Sequence, residues 1–67
     1  MAKKEERQQF ILHEVRMHSR VLLTDIAHLL NVSIDTIRRD IKELDEEGKL
    51  KKVHGGAISI GFHYNSS

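Results

Sequence analysis

The middle of the chain carries a cluster of hydroxyl and cationic side chains. Thr36 follows Ser33 by three residues, and Arg38, Arg39 and Lys42 come soon after it. Guanidinium groups bind phosphates, and also the O6 and N7 atoms of guanine, through paired hydrogen bonds, while hydroxyls bind phosphate oxygens. On one helix face this cluster would suit an anionic partner, although similar charges also occur on ordinary solvated helix faces.

Apolar spacing predicts which of these side chains point outward. Apolar residues recur at intervals of four and three, as on a helix with one buried stripe. They are Ile37, Ile41 and Leu44. At about 100° per residue, Asp35, Arg39 and Lys42 point away from this stripe, with Thr36 and Arg38 on its flanks. Arg39 is therefore the candidate for a base contact and Arg38 for a phosphate, while Asp35 either accepts from cytosine or orients Arg39.

Three helices are predicted before residue 48, because the chain has no proline and its four glycines lie beyond position 47. The predicted helices span residues 4–18, 23–30 and 34–47, with one brief strand at Val21-Leu22. Ser33 is predicted to cap the third helix through its hydroxyl, Asn31 to end the second, and Gly48 to end the third. The predicted core consists of Ile11, Leu12, Val15, Ile26, Leu29, Leu30, Val32, Ile37, Ile41, Leu44, Leu50 and Val53.

The remainder of the chain predicts a β-hairpin, with strands over residues 50–53 and 57–60 and a tight turn at Gly55-Gly56. Lys52 and His54 lie nearest its tip. The two glycines could allow the backbone to approach a phosphate closely, or they could simply form the turn. One role does not exclude the other. Three helices and a terminal hairpin are the plan of a winged helix-turn-helix, a mainly α fold with a small β-hairpin.

The composition argues against several classes of protein. A 67-residue chain buries only about 60% of its unfolded surface, too little for a deep catalytic cavity. The absence of cysteine excludes disulfides, thiolate zinc sites and iron–sulfur clusters. The five histidines show no metal-ligand spacing and the serines no nucleophile motif, so we expect neither a metal, a cofactor nor catalysis. The longest aliphatic run, Val21-Leu22-Leu23, is too short to span a membrane.

The net charge of +1, from eleven Lys and Arg against ten Asp and Glu, is low for a protein that binds polyanions. The acids are concentrated in the third helix, above all at Asp45-Glu46-Glu47, whereas the chain from Gly48 onward contains lysines and no acid. We expect the acids at the helix end to face away from an anionic partner. Asp40 is expected to form a tethering salt bridge, with Arg20 and Lys52 as the candidate partners.

A longer pattern resembles a known family. The run Arg7-x3-Ile11-x3-Val15, followed after seventeen residues by Ser33-x2-Thr36-Ile37-Arg38-Arg39-Asp40-Ile41, resembles the DeoR-type helix-turn-helix signature of bacterial transcription regulators. The hairpin Leu50-Lys51-Lys52-Val53-His54-Gly55-Gly56-Ala57 is similar to the wing of that family. The likeness covers nearly all of residues 7–58, and a multi-part pattern with fixed spacing is specific.

The resemblance implies sequence-specific binding of a double-stranded DNA operator, most often by a repressor of sugar-utilisation genes. The predicted DNA-binding residues are Ser33, Asp35, Thr36, Arg38, Arg39, Lys42, Lys52, His54, Gly55 and Gly56. Arg7 and Arg20 are further candidates for phosphate contacts.

The resemblance also implies a longer cytoplasmic protein that forms a homo-oligomer. Residues 1–60 would be its DNA-binding domain, and residues 61–67 the start of a linker. The linker would lead to an absent domain that senses a phosphorylated sugar or a related metabolite.

One position departs from the family, and one alternative function stays open. Leu22 stands where family members commonly carry Ser or Thr, which leaves Thr24 and Asp25 as candidate caps of the second helix. Alternatively, a winged helix can dock another protein without binding DNA, and a net charge of +1 permits that function. An apolar outer face on the third helix would favour it, and the cationic residues there do not.

Overall fold

The protein consists of three helices and a three-stranded sheet in a computed structural model that describes residues 3–60. The elements, in chain order, are α1 (Lys4–His18), β1 (Arg20–Leu22), α2 (Leu23–Leu30), α3 (Ile34–Glu46), β2 (Lys51–Val53) and β3 (Gly56–Ile58). The predicted winged helix-turn-helix architecture is therefore confirmed. The predicted linker at residues 61–67 lies outside the described residues.

Three of the helix ends follow the local sequence. Ser33 Oγ accepts a hydrogen bond from the Thr36 amide at 3.2 Å, so the predicted cap of α3 is confirmed. Asn31, with φ of 57°, ends α2, and Gly48, with φ of 77°, follows the end of α3.

The start of α2 differs from the prediction, since neither Thr24 nor Asp25 caps it. The helix begins without a side-chain cap. The amide of Leu23 instead donates to the carbonyl oxygen of Gly55, at 2.9 Å. The backbone carbonyl of a distant turn thus accepts the hydrogen bond from the first amide of α2, which the side chain of Thr24 or Asp25 was expected to accept.

β3 lies between β1 and β2 and is antiparallel to both strands. Val53 is paired with Gly56, so His54 and Gly55 form the turn and the predicted Gly55-Gly56 turn is wrong by one residue. Gly55 has the positive φ of 81° that favours glycine. Gly56 lies within β3, where a Cβ atom would overlap the carbonyl oxygen of Val21. We call residues 51–58, comprising β2, the turn and β3, the wing.

The core lies where α1, α2 and α3 meet the sheet. Its most deeply buried large side chains are Ile11, Val15, Ile26, Ile37, Ile41, Leu44 and Leu50, all of them predicted. The predicted residues Leu12, Leu30 and Val32 are half-buried against this cluster, and Val53 is half-buried in the wing. Leu29 was wrongly assigned to the core, because it is 61% exposed. It lies about 100° around α2 from the face that packs on the core.

Candidate nucleic-acid interface

The exposed side of α3 is set by the burial of Ile37 and Ile41 against the core. The opposite side carries five exposed charged residues. One of them, Glu46, follows Lys42 by four residues, so it lies on the side from which the acids at the helix end were expected to face away. We call the other four the outward arc. They are Asp35, Arg38, Arg39 and Lys42. The outward direction predicted from helical periodicity is therefore confirmed for Asp35, Arg39 and Lys42, and Arg38, predicted on a flank of the buried stripe, is exposed beside them.

The N-terminal end of α3 is ordered by its own hydroxyl groups. Ser33 Oγ lies 2.9 Å from Thr36 Oγ1, and the same oxygen accepts from the Thr36 amide. Ser33 is exposed, whereas Thr36 is half-buried. The helix therefore presents its positive dipole end beside the outward arc, an arrangement that favours an anion.

Two of the cations on the outward arc differ from the third in their ion pairing. Arg38 Nη1 donates to Asp35 Oδ1 at 2.9 Å, so Asp35 orients Arg38 and the expected contact with Arg39 is wrong. Both arginines lie one helical turn beyond Asp35, at spacings of three and four residues, so the sequence permitted either pair. Within residues 3–60, the salt bridges involve neither Arg39 nor Lys42. These two cations therefore remain available to an anionic partner.

Asp40 is turned toward α1 rather than toward the outward arc. Arg7 Nε donates to Asp40 Oδ2 at 2.7 Å and Nη2 donates to Oδ1 at 3.3 Å. The predicted tether is confirmed, but its predicted partners, Arg20 and Lys52, were wrong. The hydrogen bond from Arg7 to this carboxylate raises the pKa of Arg7 above its already high value.

The Arg7–Asp40 pair also changes the expected role of Arg7. The side chain of Arg7 is 17% exposed and directed into the protein, at the carboxylate of Asp40, whereas a phosphate contact would require it at the surface. Its position four residues before Ile11, on the buried stripe of α1, is the sequence signal that indicates an inward direction.

Two further acids of α3 are also directed away from the outward arc. Glu43 contacts Lys4 Nζ at 2.6 Å and accepts from Gln8 at 3.2 Å, both on α1. The hydrogen bond between Lys4 and Glu43 lowers the pKa of Glu43 and raises the pKa of Lys4. Asp45 Oδ2 accepts from the backbone amide of Lys52 at 3.0 Å and so faces the wing.

A groove separates α3 from the start of α2 and from the wing, and we call it the wing groove. Ile34 and Arg38 line it from α3, Thr24 from α2, and Lys52 and His54 from the wing. Gly55 and Gly56 also border it. Arg38 and the four predicted wing residues therefore line one surface feature, while Arg39 and Lys42 lie on the neighbouring outward arc.

The DeoR-like helix-turn-helix domain matches residues 7–61 of the chain, which include most of α1 and all of α2, α3 and the wing. The chain belongs to this family.

Curated relatives of this DeoR-like domain are transcriptional regulators. The chain is 43% identical over 55 residues to the HTH-type transcriptional regulator GolR of Listeria innocua, covering 82% of this chain and 22% of the relative. It is 42% identical over 59 residues to the transcriptional repressor GlcR of Bacillus subtilis, covering 88% and 23%. It is 36% identical over 53 residues to the L-fucose operon activator of Haemophilus influenzae, covering 79% and 21%.

The DeoR-like domain spans about a fifth of the length of these relatives. No solved structure matches the chain.

Two residues of the DeoR-like domain that line the wing groove were missed from the sequence. Thr24 is exposed near the start of α2, and Ile34 is exposed at the first position of α3. An apolar residue directly after the Ser33 cap, on a helix whose buried stripe is already supplied by Ile37 and Ile41, is the signal that could have identified Ile34.

Two other features, a metal-ligand cluster and a membrane-spanning helix, are absent from the described part of the DeoR-like domain. Across residues 3–60, no three His, Cys, Asp or Glu side chains come together in a way that could hold a metal ion. Over the same residues, no helix has the length and apolarity needed to cross a membrane.

Proposed function

We propose that this DeoR-like domain binds double-stranded DNA sequence-specifically, with α3 in the major groove, as part of a repressor of sugar-metabolism genes. One observation carries the proposal. Arg39 and Lys42 form no ion pair within residues 3–60, while Asp40, Glu43 and Asp45 on the same helix are bonded to α1 or to the wing. A chain with a net charge of only +1 thereby gains a cationic surface.

In the proposed complex, the residues of the outward arc divide into base and backbone contacts. Arg39, which lies nearly opposite the buried stripe of α3, contacts a guanine edge, with Thr36 and Asp35 near the bases. Arg38 and Lys42 contact phosphates.

The cap and the wing supply the remaining backbone contacts in this proposal. Ser33 binds phosphate at the N-terminus of α3. Lys52, His54 and the backbone of Gly55 and Gly56 hold the DNA from the other side of the wing groove.

The proposed regulation rests on the relatives. One is named as a repressor and another as the activator of an L-fucose operon. We propose that the longer protein represses transcription as a homo-oligomer and senses a phosphorylated sugar through a further domain. The DNA-binding step itself requires no cofactor in this proposal. The cationic outward arc disfavours the alternative of a docking site for an apolar protein surface.

Selection of bound sequences from a pool of random DNA duplexes tests this proposal directly. The wild-type domain should enrich one motif. The Arg39→Ala variant should lose the preference at one position of that motif, with a loss of about 1–3 kcal/mol of discrimination there. The matched control is Arg16→Ala, which removes the same charge from an exposed position on α1, outside the outward arc and the wing groove.

Each outcome of this selection has a distinct meaning. Failure of the wild-type domain to enrich any motif would overturn sequence-specific binding. An equal loss on every sequence for Arg39→Ala would make Arg39 a phosphate contact. An equal effect of Arg16→Ala would remove the outward arc from the proposed interface.

A further inference from the structure

Ile34 is an exposed apolar side chain at an unusual place, the first residue of α3. It is 40% exposed, whereas Ile37 and Ile41 on the same helix are fully buried. The first turn of a helix favours proline or acidic residues, and β-branched side chains are only moderate helix formers. The formation of the helix therefore does not account for isoleucine at this position, and packing leaves 40% of the residue exposed.

The surroundings of Ile34 differ from those of the other exposed apolar residues. Ile34 lies in the wing groove with Arg38, one turn further along α3, and with Lys52 and His54 on the wing. By contrast, Leu22 and Leu29 line a separate groove between the end of α1 and α2, where the acids Glu14 and Asp25 accompany Arg20. Among residues 3–60, the lining of the wing groove includes cations and no acid, whereas the groove of Leu22 and Leu29 combines both charges.

A partner suited to the wing groove must be polyanionic and must also offer an apolar point of contact. The major groove of duplex DNA offers such a point in the C5-methyl group of thymine, which apolar side chains contact in direct readout. The cations around Ile34 would hold the phosphates, and the side chain of Ile34 would lie against the methyl group. Because this methyl marks thymine alone among the four bases, the contact would carry sequence information.

We propose that Ile34 is a specificity-determining residue that contacts a thymine methyl group in the DNA site of this domain. The inference rests on the proposed function, since it requires α3 to enter the major groove. It adds an apolar base contact to the charged contacts of the outward arc.

Replacement of thymine by deoxyuridine tests this contact, because it removes only the methyl group from the base. The probe is a duplex recovered from the random pool by the wild-type domain, synthesised once with thymine and once with deoxyuridine. Burial of one methyl-sized group contributes about 0.8 kcal/mol, so each contacted methyl should account for about a fourfold loss of affinity. Wild-type protein should show this loss, and the Ile34→Ala variant should bind both duplexes equally.

Two further variants separate this contact from a general effect on folding. Ile34→Val retains a branched apolar side chain and should keep part of the discrimination between the duplexes. Leu29→Ala shortens another exposed apolar residue, 61% exposed on α2, and should discriminate as the wild type does. An unfolding curve for each variant shows whether the fold is retained.

The outcomes distinguish this inference from the proposed function. Equal binding of both duplexes by the wild type, or an equal loss in wild type and Ile34→Ala, would overturn the role of Ile34. A selected motif without thymine would also overturn it, although sequence-specific DNA binding would stand. Failure to select any motif would instead remove the proposed function, and the role of Ile34 with it.

Discussion

At the scale of single residues, the position of α3 depends on one interior ion pair. Asp40 is the one charged residue among those buried in residues 3–60, with 3% exposure, and both of its carboxylate oxygens accept from Arg7. The pair joins the first turns of α1 to the middle of α3. It therefore fixes the helix that carries the outward arc without contributing to that arc.

Removal of this carboxylate should destabilise the domain strongly. In Asp40→Ala, the guanidinium of Arg7 would stay largely buried without its counter-ion, which should lower the free energy of unfolding by about 3–5 kcal/mol. Urea denaturation measures the change. Asp35→Ala, which breaks the exposed pair with Arg38, is the matched control and should cost less than about 1 kcal/mol. Similar losses for the two variants would contradict a structural role for the interior pair.

At the scale of elements, hydrogen bonds beyond the pairing of β3 with β1 hold the wing to the rest of the domain. The Leu23 amide donates to the Gly55 carbonyl and the Lys52 amide to Asp45, while directly after the wing the Ser59 amide donates to the carbonyl of Ser19. Gly56 allows the turn to lie against β1, because a side chain there would meet the Val21 carbonyl. The wing tip is therefore held at a fixed position beside the start of α2.

Substitution of Gly56 should disturb this attachment. Gly56→Ala forces β3 away from β1 and should cost about 3 kcal/mol of the free energy of unfolding, at the upper end of the range for overpacking. The control is Gly48→Ala, where no atom lies within 4 Å of the added Cβ but φ is 77°. A left-handed conformation costs a residue with a side chain roughly 1–2 kcal/mol. A smaller loss for Gly56→Ala than for Gly48→Ala, in matched unfolding experiments, would show that the wing can move away from β1 at little cost.

At the scale of the whole molecule, the net charge of +1 results from cancellation between separate surfaces. Among the acids of α3, Asp40 and Glu43 face α1, while Asp35 lies on the outward arc with three cations. The summed charge therefore gives no measure of the local potential that a phosphate backbone would meet.

The salt dependence of DNA binding should follow this local arrangement. If Arg38, Lys42 and Lys52 neutralise about three phosphates, affinity should fall about fortyfold between 50 and 200 mM salt. A titration of fluorescent duplex at several salt concentrations gives the slope. Lys42→Ala should reduce the slope by about one phosphate, and Arg16→Ala should leave it unchanged. A flat salt dependence in the wild type would contradict binding through the phosphate backbone.

The sequence predicted the features that depend on neighbouring residues. The spacing of Ile37, Ile41 and Leu44 predicted which face of α3 is buried. Ser33 and Gly48 predicted where this helix begins and ends. The motif with its wing gave the family, which the match over residues 7–61 confirmed. These features are local or periodic, because helix capping and amphipathic burial involve contacts within a few turns of the same helix.

Only the tertiary structure decided which distant groups meet. Arg7, rather than Arg20 or Lys52, contacts Asp40, although all three are cations and the sequence offered no measure of their distances. The Gly55 carbonyl accepts from the Leu23 amide in place of the expected cap of α2. The pairing of Val53 with Gly56 places the turn one residue before its predicted position. Ion pairs and hydrogen bonds between separate elements depend on how those elements pack, and several pairings satisfy the same charges until the packing selects one.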